Sequence, residues 1–271
     1  MIINVYCRNF GWLFEDLKWA IASVADDVIA SEDPLPEADA WICIRTDEAH
    51  HCPDPARCVV QVHDFYTHSP LTRYGAVSLV HPAQRETCQS ADQVHVQPIG
   101  ARRLFTLRES MPERFTVGWV GRDVTHQGRH IKRPQLFVDA VLEARRQGCD
   151  VVAEGRSAGH PGGRAESLRD FYHSIDALVV TCEPEPGPLS IYEALACGVP
   201  VISTKTGALD NLAGNKWGYE SAPEHLADAI TDAGECRSQN FARRAEIRAS
   251  VTHWQDDWCR AQVELARSLC A

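Results

Sequence analysis

At 271 residues, 44% hydrophobic and 24% charged, the chain has ordinary globular composition and enough length to bury one large core or two smaller ones. A formal net charge of -10 argues against partners held mainly through phosphates, such as nucleic acid or an anionic membrane surface, and favours a neutral or cationic partner. No stretch approaches 18 uncharged apolar residues and the start lacks a basic segment followed by an apolar one, so neither a membrane span nor secretion is expected.

In the first half, Val- and Ile-rich runs at 2–6, 27–30, 40–44, 59–63, 76–80 and 94–97 read as strands, with helices expected over 12–24 and 82–88. Residues 102–113 are charged and non-periodic, as in a linker between lobes, and hold Arg102, Arg103 and Arg108. The pattern restarts with strands at 116–120, 151–153, 177–181 and 201–203, and helices at 135–147, 165–174, 191–196 and 223–233. A last helix over 255–269 has no strand after it and is free to pack back on the first lobe. The expected fold is α/β with two Rossmann-like lobes, 1–105 and 114–253, and a C-terminal helix within 254–271. Ligands of such sheets gather in the loops that follow strands.

Eleven cysteines include no C-x-x-C pair and show no ligand-like spacing with histidine, which fits reduced thiols in a cytosolic protein. His50, His51 and Cys52 lead into a Pro53–Asp54 turn with no fourth ligand, so no metal is expected.

Residues 179–206, VVTCEPEPGPLSIYEALACGVPVISTKT, read as strand, loop, helix, turn, strand. Pro184, Pro186, Gly187 and Pro188 stiffen the loop, and Gly198 stops the helix ahead of Pro200. The N–H groups of Leu189 and Ser190 are then unpaired at a helix N-terminus, where a pyrophosphate can be received. Glu185 and Glu193, with seven residues between them, are suited to the vicinal hydroxyls of a sugar and a ribose. They would equally suit a plain helix N-terminus, whose dipole favours acids.

Glu185, Gly187, Pro188, Glu193, Ala194, Ala196, Cys197, Gly198, Pro200, Val201, Ile202 and Thr204 together resemble the E-x7-E signature of retaining GT-B glycosyltransferases of the large family four. The stretch 117–121 followed by Arg122 is similar to the family's strand ending in G-R, and Lys132, Leu136 and Ala140 to its K-x-x-x-L-x-x-A helix. Leu168, Tyr172 and Asp176 resemble a scaffold segment, Thr206–Gly207 a following turn, and Glu154–Gly155 the loop that borders the nucleotide base.

The resemblance implies two lobes with a cleft between them and transfer of a sugar, with retention, from a nucleotide-diphosphate sugar to an acceptor. The nucleotide sugar is a co-substrate, and neither cofactor nor metal is implied. Arg122 and Lys132 would clamp the donor diphosphate, Glu185 with Gly187 and Pro188 would orient the sugar, and Glu193 would bind ribose. His63 resembles the family's cleft-lining histidine in a strand ending H-D, although a strand-end histidine bonded to backbone fits the same position. Gly11 falls where the family has a glycine loop after the first strand, without the usual Gly-Gly, and Ile99–Gly100 lacks the asparagine of the corresponding turn. Pro186 replaces a common glycine, and the longer connection from Arg122 to Lys132 offers Arg129 or His130 as an acceptor contact. A nucleotide-sugar epimerase of the same architecture and a non-catalytic nucleotide-sugar-binding scaffold remain alternatives, and a nucleic-acid acceptor ranks low on charge.

Overall fold

Short β-branched runs form strands and the longer amphipathic stretches between them form helices, in a computed structural model that describes residues 1–8, 12–63, 70–86, 93–121, 125–126, 129–157, 165–182, 185–210, 212 and 217–271. In chain order these are β1 (Ile3–Tyr6), α1 (Trp12–Ala22), β2 (Val28–Ser31), β3 (Ala40–Cys43), β4 (Cys58–Val62), β5 (Ala76–Leu79), β6 (Gln93–Val96), β7 (Thr116–Gly121), β8 (Thr125–His126) and β9 (Arg129–His130). There follow α2 (Pro134–Arg146), β10 (Val152–Ser157), α3 (Ala165–His173), β11 (Ala177–Val180), α4 (Leu189–Ala196), β12 (Val201–Ser203), α5 (Gly207–Asp210) and β13 (Gly218–Glu220). Four helices complete the chain: α6 (Leu226–Glu235), α7 (Arg237–Ala242), α8 (Arg244–Ala249) and α9 (Gln255–Ser268).

The chain divides into two compact units, Met1–Ile99 with His253–Ala271, and Gly100–Thr252. The first holds a six-stranded sheet in the order β2-β1-β3-β4-β5-β6, parallel throughout, with Ile3 paired to both Val28 and Ala40 and Val59 to Ala76. β1, β3, β4 and β5 are buried along their whole length, as expected for parallel strands covered on both faces. α9 packs on α1 and on β3 and β4, burying Trp258, Cys259, Val263 and Ala266, and Arg267 bonds Asp27 at 2.6 Å. Where α9 meets the sheet, Gln61, Ser78 and Gln262 are fully buried, and their side-chain polar atoms have no partner among the described residues.

The second unit holds a five-stranded parallel sheet, β10-β7-β11-β12-β13. One face is closed by α2 and α6 around Val117, Phe137, Val141, Val179, Ile202 and Ile230. Gly198 ends α4 at φ 75, and a Cβ there would lie 2.8 Å from Arg244 Cβ and 2.9 Å from its carbonyl oxygen, so conformation and space both require glycine.

Two sequence expectations change. Residues 102–113 are part of the second unit, not a free linker: Arg108 N–H donates to Cys197 O at 3.1 Å, and Arg248 Nη1 to Phe105 O at 2.6 Å. Arg244 Nε donates to Arg108 O at 3.1 Å, and Arg108, 1% exposed, lies 3.6 Å from the buried carboxylate of Asp176. The helix expected over 82–88 is a 3-10 turn, Pro82–Glu86, because Gln84 Oε1 accepts the N–H groups of Val80 and His81, both at 2.8 Å, and its amide donates to Val62 O. The charged stretch after α6 forms α7 and α8, which carry the arginines that hold 102–113.

Candidate functional site

The site grows from the crossover between β11 and α4. Pro188 caps α4 in an extended conformation with no side-chain hydrogen bond, so the N–H groups of Leu189 and Ser190 have no intrahelical acceptor, while that of Ile191 donates to Pro188 O at 3.1 Å. Pro186 and Pro188 are buried while Glu185, Gly187, Leu189 and Ser190 are half-buried. The two prolines thus root the loop and leave its acid and the helix end accessible. Glu185 O accepts the Gly207 N–H at 2.9 Å, which ties the loop to the start of α5. Beside it, the buried Thr206 hydroxyl has no partner among the described residues.

Lys132, just ahead of α2, forms an ion pair with Glu185 across 53 residues of chain, the two side chains 28% and 25% exposed. Burial pulls the Lys132 ammonium down, but the Glu185 carboxylate outweighs it and holds the pKa above the ordinary lysine value. A charged cation, an acid and a helix N-terminus therefore meet at one place. Cys182 sits beside them, its thiol pushed up to about 12 by burial and then by Glu185, which makes it a neutral packing group rather than a nucleophile.

Glu193 stands further along α4 and is 3% exposed. Arg102 Nη2 donates to its Oε1 at 3.1 Å and the Tyr172 hydroxyl to its Oε2 at 3.0 Å. Arg102 also stacks on Phe105, whose ring meets Tyr172 edge-on with centroids 5.7 Å apart. Burial first, and then the carboxylate, drive the Tyr172 phenol well above its usual range, so it donates at all ordinary pH.

Arg133 is the residue that site reasoning from sequence passes over. It caps α2 at φ 42, ψ 59, the one non-glycine residue with positive φ among those described, a conformation that costs an L-residue about 1–2 kcal/mol. From there its guanidinium donates to Thr181 O at 2.7 Å and Cys182 O at 2.8 Å. The signal in the sequence is the Arg-Pro pair at a helix start, which marks the boundary without disclosing the left-handed backbone.

Of the other expected residues, Gly11 and Arg122 lie outside the described residues, and the side chains of Arg129 and His130 are likewise not described. His63 follows β4 in the first unit, half-buried, with its ring 5.4 Å from Phe14 and 6.4 Å from Trp258. Glu154 and Gly155 lie on the exposed edge strand β10. Tyr172 and Asp176 both hold scaffold: Asp176 accepts from Thr116 N–H at 3.0 Å and pairs with Arg237 at 2.9 Å. His50 and His51 stack on one another, and no group of three or more His, Cys, Asp or Glu is arranged to hold a metal among the described residues. No helix among them is long and apolar enough to cross a membrane.

Residues 159–250 match the family described as glycosyl transferases group 1, a span that contains α4, Glu185 and Glu193. No curated protein matches the chain in sequence. Among solved structures, HepE of Anabaena, determined with UDP and glucose, is similar with a TM-score of 0.76 at 15% identity over 99% of each chain. AviGT4, a glycosyltransferase involved in avilamycin A biosynthesis, is similar at 0.58 and 14% identity over 100% of this chain and 98% of that one. Sucrose-phosphate synthase from Thermosynechococcus elongatus is similar at 0.61 and 16% identity, covering 86% of this chain and 74% of that one. These likenesses establish the fold as GT-B.

Proposed function

We propose that this chain, whose residues 159–250 match the glycosyl transferases group 1 family and whose fold is GT-B, is a retaining glycosyltransferase that moves a sugar from a nucleotide-diphosphate sugar to a neutral or cationic acceptor without a metal. The observation that carries the reading is the meeting of Lys132 and Glu185 at the uncapped N-terminus of α4. A diphosphate received by the N–H groups of Leu189 and Ser190 takes Lys132 as its counter-ion, aided by Arg122. Glu185 is thereby released to accept hydroxyls of the sugar, which Gly187 and Pro188 border. As the glycosidic bond breaks, charge builds on the leaving phosphate, where fixed cations and helix N–H groups stabilise it best. That phosphate takes the acceptor's proton on the face it leaves, which retains configuration.

Glu193, held by Arg102 and Tyr172, serves the ribose in this reading, since a carboxylate is a strong acceptor for vicinal hydroxyls. His63 is the first-unit residue whose loss is expected to lower turnover. Because HepE was solved with UDP and glucose, UDP-glucose is the first donor to try. The reading expects it or another nucleotide sugar to raise the melting temperature and to release nucleoside diphosphate slowly in water. A panel of donors that neither stabilises the protein nor is cleaved would contradict it.

A further inference from the structure

We infer that Arg133 is a positioning residue that sets the distance between Lys132 and Glu185, the two groups on which the proposed function rests. Arg133 follows Lys132 directly, and its left-handed backbone turns its side chain away from α2 toward the end of β11. Its guanidinium spans the carbonyls of Thr181 and Cys182, at 2.7 and 2.8 Å, and reaches Thr204 Oγ1 at 3.4 Å. Thr204 Oγ1 in turn donates to Cys182 O at 2.6 Å.

A return link runs from the same strand end. The Thr181 hydroxyl lies 2.8 Å from Lys132 O and 3.0 Å from Arg133 O, sharing its proton between them, and accepts from Trp119 Nε1 at 3.0 Å. Backbone 132–133 and backbone 181–182 are thus bonded in both directions, three residues before Glu185. A planar guanidinium suits this task because it addresses two carbonyls at fixed geometry, which a lysine ammonium does not. The strained conformation at Arg133 is held by the bonds its side chain makes, as strain at functional sites generally is.

The test compares Arg133→Gly, Arg133→Lys and Thr181→Val with the wild type. Glycine accepts the left-handed backbone, so Arg133→Gly removes the side-chain bonds without adding strain. Two readouts are taken: acylation of Lys132 by an amine-reactive reagent, followed by mass spectrometry with the exposed Lys205 as control, and nucleoside diphosphate release from UDP-glucose. The inference expects faster acylation of Lys132 in Arg133→Gly with Lys205 unchanged, and turnover lower on the order of 10- to 100-fold, as for other small misplacements of reacting groups. Arg133→Lys should remain impaired, and Thr181→Val should shift both readouts in the same direction. Wild-type acylation of Lys132 in both Arg133→Gly and Thr181→Val, whatever their melting temperatures, would overturn it. If the wild type cleaves no donor, the functional reading fails, while the acylation rates still decide the role of Arg133.

Discussion

The Tyr172 hydroxyl donates to Glu193 Oε2 at 3.0 Å in a place where neither side chain reaches solvent to more than 3%. Tyr172→Phe removes that donor from a buried carboxylate. Stability should fall by about 1–3 kcal/mol, read from urea unfolding, while turnover changes little. Glu193→Ala should weaken nucleotide binding as well. Equal nucleotide affinity in Glu193→Ala and wild type would confine Glu193 to a structural role.

Lys132→Ala and Glu185→Ala should separate kinetically. Loss of a cation that stabilises charge developing on the leaving phosphate should lower kcat by on the order of 10²–10³, whereas loss of Glu185 should also raise KM for the sugar nucleotide. Either variant with wild-type turnover would remove that residue from the site.

The pH dependence of the same pair has a defined sign. Glu185 raises the folded-state pKa of Lys132 above its unfolded value, so the pair's contribution is complete below the unfolded value, about 10.4, and is lost as pH rises through the folded one. Stability and turnover should therefore show no Lys132 transition between pH 6 and 9. Glu185→Gln should bring the alkaline loss to lower pH, and an alkaline limb that does not move would place some other group in control of it.

Asp176 should matter to folding and not to chemistry. It accepts from Thr116 N–H, pairs with Arg237 and faces the buried Arg108. Asp176→Asn strands a buried guanidinium and should cost about 3–5 kcal/mol. If the variant is as stable as wild type, the charged segment 102–113 is not held to the second unit through Asp176.

Gln262 presents the opposite case. Its amide, with Gln61 and Ser78, is buried between α9 and the first sheet without partners among the described residues. Gln262→Met keeps volume and removes an unsatisfied polar group, so the melting temperature should rise by about 2–4 °C for each kcal/mol gained. A fall in melting temperature would identify a bonded, hydrated seam instead.

Strands such as β4 and β5 were legible because parallel strands covered on both faces read as continuous Val-rich runs, and α4 because Gly-Pro opens it and Gly-Val-Pro closes it. Lys132 and Glu185 were legible only as members of a motif, since nothing in local spacing shows that residues 53 positions apart touch. Arg133 and the 102–113 segment were hidden for a related reason. Charged residues usually lie on solvated surface, and here their guanidiniums are spent on buried carbonyls, as Arg248 is on Phe105 O and Arg133 on Thr181 O. Gln84, which replaces an expected helix with a 3-10 turn, illustrates a side chain outbidding the backbone, which composition does not reveal.

The most direct test of the central claim is release of UDP from UDP-glucose, extended to other nucleotide sugars, by the wild-type protein and by Lys132→Ala, with no acceptor present. The account predicts slow release from one donor by the wild type and loss of that release in Lys132→Ala, with both proteins equally folded. Release by Lys132→Ala at the wild-type rate, or none from any donor by the wild type, would contradict it.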